Sequence, residues 1–202
     1  MARKGLWILF ALLAIIIGLY PAIYFFIDRK FGLLSSKSDA LLANTFWNIG
    51  FYTHITLGGL ALFIGWTQFI SKIRIKTPKA HRLIGKLYVI SVLLSSLAGI
   101  FIGFFATGGI VTALGFICLG IIWFYTTLMA YQKIKNNQVE LHQKMMIYSY
   151  AACFAAVTLR IWLPLLTMTF GNFITAYTIV AWLCWVPNLI VANLITRKLI
   201  RP

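Results

Sequence analysis

Acid is what this chain lacks. Of its 202 residues only three are acidic, Asp28, Asp39 and Glu140, against 18 lysines and arginines. No carboxylate falls within an apolar run, so general-base hydrolysis inside a membrane has no candidate base. Charge of either sign is scarce, at 10% of residues, far below what a soluble domain of this length spreads over its surface. Cysteine is nearly absent. Cys118, Cys153 and Cys184 all lie in apolar runs without CxxC spacing, which argues against disulfides and a thiolate zinc site and leaves them as small packing residues. No Walker motif, dinucleotide fingerprint, HExxH or GxSxG occurs.

Hydrophobic length is abundant instead. The chain is 61% hydrophobic, with recurring apolar runs of about 20 residues, each long enough to cross hydrocarbon as a helix. The expected fold is an all-α, polytopic membrane bundle, one transmembrane domain over 1–202. Its helices are expected at roughly 5–27, 46–70, 82–106, 109–131, 143–168 and 173–196. The opening MARKGLWILFALLAIIIGLYPAIYFFIDRK starts like a signal peptide. Its apolar stretch is too long for one and lacks a small-residue cleavage site, so a retained first helix is expected.

The net charge of +15 raises nucleic acid as a partner, but the basic residues cluster in short segments between apolar runs, where anionic headgroups attract them. The lipid bilayer is the expected partner, and nucleic acid is not. Fourteen of the 18 basic residues fall on one side of the predicted helices, in the N-terminus, in the segments around Lys72–Lys86 and Lys133–Lys144, and in the tail with Arg197, Lys198 and Arg201. Arg29, Lys30 and Lys37 are on the other side, and both termini are therefore expected in the cytoplasm. The turns at Thr107-Gly108-Gly109 and Gly171-Asn172 predict tight hairpins. Gly99 with Gly103, and Ala61 with Gly65, read as close helix–helix packing.

Two polar stripes stand out. On the second helix His54, Gly58, Ala61, Gly65 and Gln68 share a face. On the fifth, His142 and Arg160 are 18 residues apart and return to one face after five turns, with Ser149, Cys153 and Ala156 between them. Such faces belong inside a bundle, because lipid penalises them. His54 and Arg160 are expected at similar depth, roughly 12 Å below the outer surface at 1.5 Å per residue. His81 and His142 begin helices three and five at the cytoplasmic face. They are either interfacial histidines or axial ligands of a single haem, with basic neighbours for the propionates. His54 is too distant to complete a three-histidine zinc site with them.

Arg160 poses the sharpest question, because a guanidinium in hydrocarbon costs roughly 2.5–3.5 kcal/mol on insertion scales. It either snorkels to Asp28 or Asp39, uses the carbonyl that Pro164 frees, or meets an external anion or headgroup: a carboxylate, a propionate, a lipid phosphate, or a quinone oxygen shared with His54.

The ordered set His54-x3-Gly58, Gln68-Phe69, His81-Arg82-x2-Gly85-x2-Tyr88, His142-x2-Met145 and Thr158-Leu159-Arg160 resembles a bacterial family of predicted membrane proteins, domain of unknown function 2306, over about residues 45–165. The resemblance implies a multi-helix membrane protein, with His54, Gln68, His81, Arg82, His142 and Arg160 as its polar signature, and the expected location is the bacterial inner membrane. Gln143 and Tyr148 stand where the family commonly carries basic residues. The expected role is a haem b- or quinone-binding redox protein, His81 and His142 holding the haem iron and His54, Gln68, Arg82 and Arg160 completing the polar sites. The alternatives are a non-enzymatic carrier of an anionic amphiphile and an assembly subunit that docks other membrane proteins.

Overall fold

The computed structural model describes residues 2–27 and 30–199. Among these the chain is 88% helical and without strands. Six spans are long and apolar enough to cross a membrane: Lys4–Phe25, Thr45–Phe69, Pro78–Gly103, Ile110–Lys135, Val139–Phe170 and Phe173–Lys198, the first to sixth in order. It is a multi-pass protein of the lipid bilayer.

The third span shows how lipid sorts the side chains. Leu83, Leu87, Ile90, Leu94 and Leu97 recur at helical spacing and are exposed, whereas Ser91, Ser95 and Ser96 are buried with Tyr88 and Val92. In water this face arrangement would be inverted. Hydrocarbon offers nothing to a hydroxyl, so serines turn inward, where helices approach closely and carbonyls accept their protons.

Local chemistry sets the helix ends. Asn44 caps the second span by accepting the Trp47 amide at 3.0 Å, and Asn172 caps the sixth by accepting Thr175 N at 3.0 Å. Gly171, at φ +63°, closes the fifth span, so its hairpin with the sixth turns within two residues. Gly108 and Gly109 turn the third span into the fourth. Pro78 sits in the first turn of the third span, where its missing N–H costs nothing. That span therefore starts ahead of the expected residue 82. Likewise the fourth extends to Lys135 and the fifth starts at Val139, and part of the basic loop winds into a short helix, Ser71–Lys76.

Two spans are interrupted. The fifth consists of Val139–Cys153 and Ala155–Phe170, and the sixth of Phe173–Leu183 and Val186–Leu199. Asn188 Nδ2 donates to the carbonyls of Ala151 at 3.2 Å and Cys184 at 2.9 Å, and Thr158 Oγ1 also donates to the Cys184 carbonyl. The two breaks thus satisfy each other's carbonyls, as backbone irregularity at membrane depth requires.

The connector between the first two spans folds back over one end of the bundle. Leu34 and Leu42 bury against Trp47 and Phe51, and Lys37 Nζ donates to the Phe105 carbonyl at 2.5 Å and Thr107 Oγ1 at 3.0 Å. This is the connector end. The opposite end, with Ser71–Lys76, is the basic end.

Candidate functional site

Below the connector lies a cavity of about 230 Å³, walled by residues of all six spans and roofed by the connector. Its lining is mainly apolar: Ile17, Leu62, Leu119 and Phe116 are representative. The polar groups are few, and His54 and Arg160 are among them, with Lys37, Trp47, Tyr24 and Tyr177. His54 and Arg160, expected at similar depth, both line this cavity.

His54 is held by the third span. Its Nδ1 lies 2.9 Å from the Ser95 carbonyl, and Ser95 Oγ donates back to the His54 carbonyl at 2.9 Å. A carbonyl only accepts, so Nδ1 carries the proton and the neutral ring keeps its lone pair on Nε2. Gly99 makes this seat possible. A Cβ there would stand 2.8 Å from His54 Nδ1 and 2.9 Å from Cε1. The glycine pair read as helix packing is therefore split in role: Gly99 admits the imidazole, whereas Gly103 admits Ile117 of the fourth span.

Arg160 has no carboxylate partner among the described residues. Asp39, one of the two loop acids considered for it, pairs with Lys30 at 2.6 Å, and Asp28 lies outside the described residues, as does Arg29. Its Nη1 donates to the Ala156 carbonyl at 2.9 Å, and its guanidinium lies 4.3 Å from the centre of the Tyr20 ring. The ring contributes about 0.5–2 kcal/mol without neutralising the charge. Of the five N–H donors of a guanidinium, one is engaged among the described residues.

The stripe on the fifth span does face inward, but it divides. Cys153, Ala156 and Arg160 line the cavity. Ser149 belongs to a buried hydroxyl chain below it, 2.8 Å from Tyr88 Oη and 2.6 Å from Thr127 Oγ1, which donates to the Trp123 carbonyl at 2.7 Å. Each hydroxyl has one proton, so the direction is fixed: Tyr88 to Ser149 to Thr127 to carbonyl. The three cysteines are free.

His81, His142, Gln68 and Arg82 occupy the basic end. Ser95, which seats His54, is 14 residues beyond His81 on one helix, about 21 Å along the axis. His142 Nδ1 donates to the Ala130 carbonyl at 2.8 Å, leaving Nε2 as the lone-pair nitrogen. His81 Nδ1 is buried without a partner among the described residues. Gln68 is buried, with its Oε1 3.3 Å from where a Cβ on Gly85 would stand, and Arg82 is exposed. The fold thus brings together two groups of the predicted site residues and keeps the groups apart.

Sequence reasoning missed Lys37, Trp47, Tyr20 and Ser95. Trp47 is buried and its Nε1 has no hydrogen-bond partner among the described residues. Lys37 lies outside the spans, and burial lowers its pKa to about 8. One signal pointed to it: it is one of only three basic residues on a side otherwise kept free of them.

A family model described as "Predicted membrane protein (DUF2306)" matches residues 51–196, and the chain belongs to that family. The match begins later and extends further than the 45–165 region read from the motif residues. No curated protein and no solved structure matches the chain.

Proposed function

We propose that this member of the DUF2306 family binds an amphiphile by its oxygen-bearing headgroup in the cavity that His54 and Arg160 line. The observation that carries this reading is the desolvated guanidinium, which has open donors, no carboxylate among the described residues, and a largely apolar chamber in front of it. Such a cation is costly unless a guest completes it. His54 Nε2 adds an acceptor, so an anionic headgroup with an ionisable hydroxyl, or a quinone and its quinol, satisfies both side chains. By the distribution of basic residues, the cavity faces the outer leaflet.

Native mass spectrometry of the protein released from mild detergent tests this. A ligand of fixed mass is expected on the wild type and is lost in Arg160→Ala. Equal emptiness of the two proteins, or retention of the same ligand by both, refutes the reading.

A second reading concerns the basic end. His142, with Nδ1 tied to Ala130, presents Nε2 as a metal-binding imidazole is normally presented, its other nitrogen oriented by a carbonyl. His81 has a buried ring nitrogen in want of a partner. His81 and His142 would hold haem b through these ring nitrogens, and exposed Arg82 and Lys86 beside His81 would meet its propionates. The bound group would supply one-electron transfer. The chain's own part is to fix the His142 tautomer through the Ala130 carbonyl. A Soret band in protein expressed with ample haem, lost in His142→Ala, is the expected result; a colourless preparation removes this reading.

A further inference from the structure

The connector contributes more than a roof. Lys37 reaches the same cavity as Arg160, although one residue comes from the loop and the other from the fifth span. Two of the three ammonium protons of Lys37 go to the Phe105 carbonyl and Thr107 Oγ1, which leaves one for a guest. Ser36 Oγ, 3.0 Å from Thr107 Oγ1, fixes the same stretch of connector to the turn between the third and fourth spans. Trp47, on the same lining, has a buried indole N–H without an acceptor among the described residues.

From this array we propose that the occupant of the cavity is a phosphate monoester of an apolar alcohol, its phosphate held between Arg160 and Lys37 and its tail among the helices. The inference rests on the amphiphile reading above and specifies the ligand. Three side chains with N–H donors, Arg160, Lys37 and Trp47, belong to one lining, and two of them are cations. A carboxylate brings one negative charge and a quinone none, so either leaves one of the two cations unmatched. A phosphate monoester carries about −1.5 to −2 at neutral pH and three terminal acceptor oxygens. His54 Nε2 accepts the remaining P–O–H proton when the ester is singly ionised.

Size agrees with a headgroup and the first part of a chain. A cavity of about 150 Å³ holds a benzene, so the 230 Å³ here takes a phosphate and a few methylenes. A second, largely apolar groove of about 310 Å³, lined by Gly18, Phe25 and Thr56 among others, shares Pro21 with the cavity at the seam of the first and second spans. Gly59 lies against Pro21 there, where a Cβ would come within 2.8 Å of the proline ring.

The test is calorimetric titration of the full chain in nanodiscs of neutral lipid, with dodecyl phosphate, dodecanoate and inorganic phosphate as probes. Dodecyl phosphate is expected to bind at least tenfold more tightly than dodecanoate. Lys37→Met should remove that preference while leaving dodecanoate within about twofold of wild type, and Trp47→Phe should reduce it. Equal affinity for the two amphiphiles, or a Lys37→Met loss common to both, overturns the phosphate assignment and leaves the Arg160 reading standing. Binding of neither amphiphile, with Arg160→Ala indistinguishable from wild type, sinks both. Displacement of dodecyl phosphate by an equal concentration of inorganic phosphate overturns the amphiphile as the source.

Discussion

Gly99→Ala adds one methyl group at the point where the third span admits the His54 ring. The new Cβ would stand 2.8 Å from His54 Nδ1, inside any permitted contact, and the ring cannot retreat without leaving the Ser95 carbonyl. Losing that hydrogen bond costs about 1 kcal/mol. Forcing a methyl into a packed seam costs about 1–3 kcal/mol, and the better helix propensity of alanine returns about 1 kcal/mol. The net expectation is a destabilisation of about 1–3 kcal/mol, read by reversible unfolding in mixed micelles. Gly5→Ala is the control, because a Cβ at Gly5 meets nothing within 4 Å. The decisive comparison is a double-mutant cycle. In a His54→Ala background the ring is gone, so Gly99→Ala should cost nothing, giving a coupling of at least about 1 kcal/mol. The reasoning is wrong if Gly99→Ala is as silent as Gly5→Ala, or if its cost persists unchanged without the imidazole.

Lys37 should leave a mark in pH. Its folded pKa of about 8 lies below the ordinary 10.5 because burial disfavours the charge, so between those values the unfolded chain holds a proton that the folded chain has released. Stability contributed by this residue therefore rises from about pH 8 to 10.5. Unfolding curves of wild type and Lys37→Met should converge or cross toward alkaline pH, and parallel profiles would count against the assignment. Ser149→Ala should cost about 1–3 kcal/mol, because it strands the buried Tyr88 hydroxyl proton, whereas Tyr88→Phe should cost about 1 kcal/mol. Equal costs would contradict the deduced direction of the hydroxyl chain. Gly32→Ala should loosen the connector, because Gly32 sits at φ +60° with Tyr24 Oη 3.2 Å from its Cβ position. Faster limited proteolysis of residues 30–44 in nanodiscs is the expected readout, and an unaltered cleavage rate would refute it.

What could be read in advance varied with the range of the physics. Helix number and type followed from apolar run length, since hydrocarbon thickness imposes one length on every span. The hairpins at Gly108–Gly109 and Gly171 followed from backbone freedom, which is local. Span ends were less legible. Pro78 starts the third span earlier than hydropathy alone indicates, because a proline in the first turn serves a helix whatever its polarity. The breaks at Phe154 and after Leu183 carried no sequence signal, because the groups that compensate them, Asn188 and Thr158, lie on different spans.

The site divides along the same line. The periodicity of His54, Gly58 and Gly65 on one helix, and of Ser149, Cys153 and Arg160 on another, determined that these faces turn inward, because a polar stripe and lipid are incompatible at every position along a helix. Tertiary structure alone decided that Lys37 reaches the chamber of Arg160, that Trp47, its N–H unclaimed among the described residues, lines it too, and that Gly99 seats a histidine. Those facts depend on how a connector folds over a bundle and which helices meet, and such contacts join residues whose separation along the chain encodes nothing of their distance in space.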